Sequence, residues 1–282
     1  MIMKIRPRLI AAGAAGVCAA ALALPITQAG AEPANTLPAN GMQNPDDHSM
    51  GSQIRKHEGR PAARTFSALD KAASNLQAGV QGIDVSGHQG NVDWNAQWNA
   101  GKRFAWVKAT EGTGYTSPYF AQQYNGSYSK GFIRGAYHFA LPNKSSGAVQ
   151  ANYFLAHGGG WSGDGKTLPG ALDMEYNPYG ATCYGLSKSS MTSWIKDFSD
   201  TYKAKTNKYP AIYTSTNWWN QCVSGDFSKT NPLWVARYSS SVGALPPNWT
   251  SYTVWQYSSS PIDQDVFNGS YDRLKVFATN HD

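Results

Sequence analysis

The 282-residue chain is short of the residues that usually announce an active site. It has three cysteines and six histidines, and only two glutamates, Glu111 and Glu175, from residue 80 onward. No HExxH or other paired-ligand spacing occurs, so no metal site is expected. The sequence lacks GxGxxG and phosphate-loop patterns, which leaves a nucleotide cofactor without an anchor. A serine nucleophile has no GxSxG elbow, and Ser193 to Lys196 matches S-x-x-K only inside a helical pattern. Lysine and arginine nowhere cluster, so no nucleic-acid partner is expected. None of the ten tryptophans lies before Gly79.

What is present divides the chain in three. Residues 1–31 carry Lys4, Arg6 and Arg8, an apolar run from Leu9 to Leu24 and the small-x-small triplet Ala29-Gly30-Ala31. That is the form of a cleaved signal peptide; the run is short for a membrane anchor, and Val17 before Cys18 disfavours a lipid anchor. The expected product is secreted and extracellular, with no membrane attachment. Without these residues the chain has 21 basic against 18 acidic side chains, a balance of +3 rather than +6. Residues 32–79 are rich in Pro, Ala, Asn and Ser and read as a propeptide or flexible leader, for which inhibition of the active site is one hypothesis. Residues 80–282 have the apolar and aromatic content of a folded domain.

Within that domain "VQGIDVSG", "RFAWVKATEG", "FIRGAYHFALP", "LPGALDMEYN" and "YPAIYTSTNWW" read as strands, and the segments between them as helices. Glycine stands at the C′ position of several of those helices, as at Gly101, Gly131 and Gly158. The alternation predicts an α/β fold with a parallel sheet, open or closed as a TIM-like barrel. After "PLWVARYS" and "SYTVWQYSSS" the connections are too short for full helices, which favours an irregular barrel. Cys183 and Cys222, in an oxidising compartment, are expected to form a disulfide closing a loop of about 40 residues.

The acids stand out against this background. Asp173 and Glu175 are two apart in a strand, so they share a face, and the Asn177-Pro178 turn puts them at its C-terminal end. Asp84 ends the first strand, and "IDQDVF" places Asp263 or Asp265 just after the last one. In a barrel these ends form one mouth, where catalytic groups gather. Repulsion and burial there should raise at least one carboxyl pKa and keep an acid protonated for proton donation. Of the two glutamates, Glu175 is favoured as that acid. Tyr115, Tyr119, Tyr137, Tyr176, Tyr179, Tyr213, Trp218, Trp219, Trp255 and Tyr257 fall at or beyond strand ends, where rings stack on sugars or pack in the core. His138, one of four domain histidines with His88, His157 and His281, is placed near the site or in the core.

"GIDVSGHQGNVDW", "FAWVKATEGTGYTSPYF", "GAYHFA", "LDMEYN", "AIYTSTNWW", "LWVARYS" and "WQYSSS…IDQDVF" resemble, in order, the glycoside hydrolase family 25 lysozymes over residues 80 to about 280. The resemblance implies N-acetylmuramidase activity of the N,O-diacetylmuramidase type on bacterial peptidoglycan, by a monomer without cofactor. It implies a barrel of about eight strands and five helices. It makes Glu175 the proton donor, Asp173 the partner of the substrate's 2-acetamido group, and Asp84 and Asp263 the rest of the acidic mouth. Tyr137, Tyr176, Tyr213, Trp255, Glu111, His138 and Asp265 are the expected substrate-binding residues. Asp265 stands where relatives often carry Asn. Retention and inversion both stay open, because rotamers decide the carboxyl separation. Two rivals are weaker: a family 18 chitinase needs acids where Gly170 and Ala171 stand, and a non-catalytic wall-binding module has no use for crowded acids.

Overall fold

The computed structural model describes residues 47–59 and 79–279, all within one compact unit spanning Met42–Asp282. The signal-peptide reading and His281 lie outside the described residues. Eight strands close a barrel: β1 (Val80–Val85), β2 (Phe104–Glu111), β4 (Ile133–Phe139), β5 (Ala171–Asp173), β6 (Ala211–Thr214), β7 (Leu233–Ala236), β8 (Val254–Ser258) and β9 (Asp263–Phe267). The short β3 (Tyr115–Thr116) lies outside it, as a hairpin on the end of β2. Neighbours from β1 through β8 run parallel, whereas β9 is antiparallel to both β8 and β1 and seals the barrel.

Seven helices are present among the described residues: α1 (Ser52–Glu58), α2 (Trp94–Asn99), α3 (Phe120–Lys130), α4 (Gly147–Ala156), α5 (Lys188–Thr206), α6 (Thr216–Cys222) and α7 (Tyr271–Thr279). Their starts follow from local chemistry. Asp93, Ser146, Ser187 and Ser215 each accept a hydrogen bond from a first-turn amide, which satisfies a donor the helix itself leaves open. In α5 the buried Met191, Trp194, Ile195, Phe198 and Tyr202 recur at the spacing of one helix face. Burial of each such side chain contributes about 1.5–3 kcal/mol. No helix among the described residues is long and apolar enough to cross a membrane.

The barrel interior is filled by aromatics rather than left open. Trp106 packs on Trp234 with ring centroids 4.5 Å apart, and Tyr213 meets Trp234 edge to face at 5.3 Å. These rings need space on neighbouring strands. At Gly82 and Gly135 a Cβ would overlap the Phe104 ring and the Trp106 indole respectively.

The structure departs from the sequence reading in four places. The strand read through "YPAIYTSTNWW" ends at Thr214, because Ser215 caps α6 there. "DQDVF" is not a loop after the last strand but β9 itself. The helix α7 at the C-terminal end is not signalled by the strand-rich, Ser-rich segments before it. The leader, read as irregular from its composition, contains α1, packed against the barrel through Met50 and Ile54. Cys183 and Cys222 are bonded, with Cα atoms 5.3 Å apart.

Candidate active site

Because β9 is antiparallel, its first residue lies at the same end of the barrel as the last residues of the parallel strands. Asp263 therefore sits directly across from Asp84 in the β1–β9 register. Asp173 closes β5 opposite Tyr213 of β6. The ladder extends one residue further, where the Met174 amide donates to the Tyr213 carbonyl at 2.9 Å. Glu175 follows on the same extended stretch. The predicted acids thus come from β1, β5 and β9 to one mouth, and all are buried: Asp84 1%, Asp173 0%, Glu175 0% and Asp263 4% exposed.

Burial dominates their electrostatics. It pushes Asp173 well above the usual carboxylate range, with Glu175 beside it adding to the rise. Among the described residues neither oxygen of Asp173 has a hydrogen-bond partner. Asp84 is raised in the same way, by burial and by Asp263 and Asp265, although Gln256 donates to its Oδ2 at 2.7 Å. Burial raises Glu175 to about 8, against a set of amide donors and Arg55 that pull the other way. For Glu111 the balance reverses: burial would raise it, but the Lys108 ammonium and His48 hold it below its usual value.

The remaining predicted residues divide. Tyr137 and Tyr213 point into the barrel beneath the acids, with the Tyr213 hydroxyl donating to Gln256 Oε1 at 2.6 Å. Tyr176 and Glu111 stand at the rim. His138 does not join them. It faces the helices, bonded to Thr110 Oγ1 and Gln150 Oε1 and packed on Phe198, because Tyr137 before it takes the inward side of β4. Trp255 likewise faces outward, donating to the Arg237 carbonyl, since Gln256 after it points inward. Asp265 does face inward but lies one layer deeper than Asp263, opposite Gly82. It accepts from the Trp234 indole at 3.0 Å, and burial together with Asp263 pushes its carboxyl well above the usual carboxylate range.

Three residues of the mouth were not singled out from sequence. Gln256 links Asp84 to Tyr213 and Tyr238. Lys108, wholly buried, donates to Glu111 Oε2 at 2.6 Å. The signal for Lys108 was available: a lysine inside the apolar run "FAWVKATE" requires an acid in reach. Gln256 and Tyr238 gave no comparable signal, because their roles depend on strand register.

The family profile described as "Glycosyl hydrolases family 25" matches residues 83–266. The chain belongs to that family. Lysozyme M1 of Streptomyces globisporus is 42% identical over 98% of this chain and 95% of its own length. The N,O-diacetylmuramidase of Chalaropsis sp is 50% identical, over 71% of this chain and 99% of its own. The solved muramidase from Acremonium alcalophilum superposes with a TM-score of 0.69 at 54% identity, again over 71% of this chain and 99% of that one.

In this family 25 chain the mouth is occupied. The amides of Gly51, Gln53 and Ile54 donate to Glu175 at 2.8, 2.9 and 2.9 Å, covering both carboxylate oxygens. Arg55 pairs with Asp263 at 3.0 Å. His48 donates its amide to Glu111 Oε2 and sets its ring nitrogen 2.7 Å from Oε1. Asp47 and the His48 carbonyl accept from Lys108.

Proposed function

We propose that this glycoside hydrolase cleaves the β-1,4 bond between N-acetylmuramic acid and N-acetylglucosamine in bacterial peptidoglycan, with Glu175 as general acid. The observation that carries the reading is the pair Asp173 and Glu175. Glu175 is raised to about 8 by burial, so it holds a proton at neutral pH for transfer to the leaving glycosidic oxygen. Asp173 is buried beside it with both oxygens unpartnered among the described residues. An acceptor in that state costs free energy until a donor arrives, and the N–H of a substrate 2-acetamido group is such a donor. Asp173 then aligns the acetamido oxygen for attack on the anomeric carbon and stabilises the positive charge that develops on the group. The resulting ring is opened by water, whose proton returns to the Glu175 carboxylate, giving net retention. Asp84 and Asp263 line the mouth, Gln256 fixes Asp84, and Tyr176 offers a face for a sugar ring.

The names of the relatives, lysozyme and muramidase, support the substrate class. Export through the segment Leu9 to Ala31 places the enzyme where peptidoglycan is. The test is digestion of purified peptidoglycan, borohydride reduction and mass spectrometry of the fragments. Muramitol ends, lost by about 10²–10⁴-fold in Glu175→Gln, are expected. Glucosaminitol ends overturn the bond assignment, and an undiminished rate in Glu175→Gln overturns the assignment of the acid.

A further inference from the structure

The described part of the leader does not merely lie near the mouth; Asp173 apart, it takes up hydrogen-bonding capacity at the residues around the mouth. Each charged group in the mouth that faces the leader has a leader group of matching character against it. Glu175, an acceptor when ionised, receives three backbone donors. Asp263 receives Arg55, and Glu111 receives His48. Lys108 receives the Asp47 carboxylate at 2.9 Å and the His48 carbonyl at 2.7 Å. The Tyr137 hydroxyl accepts from the Met50 amide, and the Tyr238 hydroxyl donates to the Gly51 carbonyl.

The leader also extends outward along the cleft. Glu58 accepts from Tyr176, Ser215 and Asn217, and the His57 ring stacks on Tyr176 with centroids 4.3 Å apart and planes 6° apart. That is the geometry a flat ligand face would adopt on the same tyrosine. Cavities of about 900 and 420 Å³ open at the Tyr176–Asn217 rim and the Glu111–Tyr179 rim. The larger is walled by Ile54, His57 and Glu58 of the leader itself.

The fit is tight at one point. Gly51 takes a left-handed φ of 72°, and a Cβ there would overlap the hydroxyls of Tyr238 and Tyr213 and come within 2.8 Å of Gln256 Oε1. Only glycine satisfies both the backbone angle and the space. A leader that reached the mouth by chance has no need of such a residue at the one place where the chain descends onto the acids.

Resting on the muramidase reading above, we infer that residues 47–58 are an intramolecular inhibitor that fills the catalytic mouth and holds the enzyme inactive until the leader is detached. Two features follow from the contacts. The leader presents donors to Glu175 where the substrate presents an acceptor, the glycosidic oxygen, so it covers both oxygens of the acid and pulls against the burial that keeps it protonated. It also lies against Glu175 and Asp263, so substrate and leader exclude one another. Tethering sustains the block: a segment joined to its site by a short linker acts at an effective concentration of about 1 mM. A leader peptide binding with a Kd of about 10 µM when free would thus suppress activity about a hundredfold while joined, and lose that grip on dilution once cut.

The barrel is expected to persist without the leader, since relatives matched over 99% of their own length correspond to only 71% of this chain. The experiment compares three preparations. The first is residues 32–282, the second the same chain with a protease recognition sequence inserted between Gly59 and Gly79, cut and freed of the leader, and the third the uncut chain carrying Gly51→Val. Release of muramitol-ended fragments should be about a hundredfold faster after cutting, and Gly51→Val should recover most of that rate without cutting. A synthetic peptide of residues 47–59, added back to the cut enzyme, should inhibit it and bind it by fluorescence polarisation. Equal rates before and after cutting, or a peptide that neither binds nor inhibits, overturn the inhibitor. If no preparation releases fragments but the labelled peptide binds the cut chain and not its Glu175→Gln variant, the muramidase reading fails while occupancy of the mouth stands.

Discussion

In the chain of residues 32–282, replacing Glu175 by glutamine alters the leader as well as the chemistry. Both carboxylate oxygens now accept, one from Gly51 and the other from Gln53 and Ile54. Glutamine keeps a single acceptor and turns an amide NH₂ toward one of these donors. With its oxygen toward Gln53 and Ile54, the Gly51 amide loses its partner; the flipped amide strands two donors instead. Above the Glu175 pKa of about 8 the carboxyl is ionised, and a hydrogen bond to a charged group there contributes about 1.5–3 kcal/mol. Loss of one therefore makes the leader lift from the mouth about 10- to 150-fold more often, at 1.4 kcal/mol per factor of ten. Amide hydrogen exchange followed by mass spectrometry reads this directly, because the opening exposes only the leader amides. Fragments covering Ser49 to Ile54 should exchange faster by that factor, while β4 should not change. Unaltered protection of Gly51, Gln53 and Ile54 in Glu175→Gln would refute the argument that the carboxylate holds the leader down.

Three further outcomes are expected. Replacing Cys183 and Cys222 together by serine, which opens a loop set by their separation of 39 residues, should lower stability by about 4 kcal/mol in urea unfolding; a loss under about 1 kcal/mol would show that the bridge adds little constraint. Asp265→Asn keeps an acceptor for the Trp234 indole and removes a carboxyl raised by burial and by Asp263. A raised folded-state pKa makes the acid's cost absent below its unfolded value and growing as pH rises toward the folded one. The variant should therefore match wild type near pH 3 and exceed it in melting temperature at pH 7, and an equal or lower melting temperature there contradicts the burial argument. His138 is pushed down to about 4 by burial, below its unfolded value of about 6.5, so the unfolded chain takes up the proton first and stability falls as pH drops from about 6.5 toward 4. The loss approaches about 3 kcal/mol at the lower end, and thermal melts of His138→Gln across that window should lack this component of the slope.

The amino-acid sequence by itself settled which groups would meet. Asp173 and Glu175 share a face because alternation in an extended chain is a local property, and the alternation of strands and helices was enough to make the parallel ends converge. Helix starts at Asp93, Ser146 and Ser187 were equally local. Tertiary structure decided what alternation leaves open, namely which of two faces is inward. His138 and Trp255 sit next in sequence to inward-facing Tyr137 and Gln256, and a shift of one residue sends a side chain to the opposite side of the sheet. The depth of Asp265 and the role of Gln256 depended on the register of β9, an antiparallel strand whose place is fixed by closure of the barrel. The leader shows the same limit most clearly. Its composition gave no sign of these contacts, and residues 47–59 take their places because carboxylates and a buried lysine more than fifty residues away in sequence supply partners for their backbone and charges.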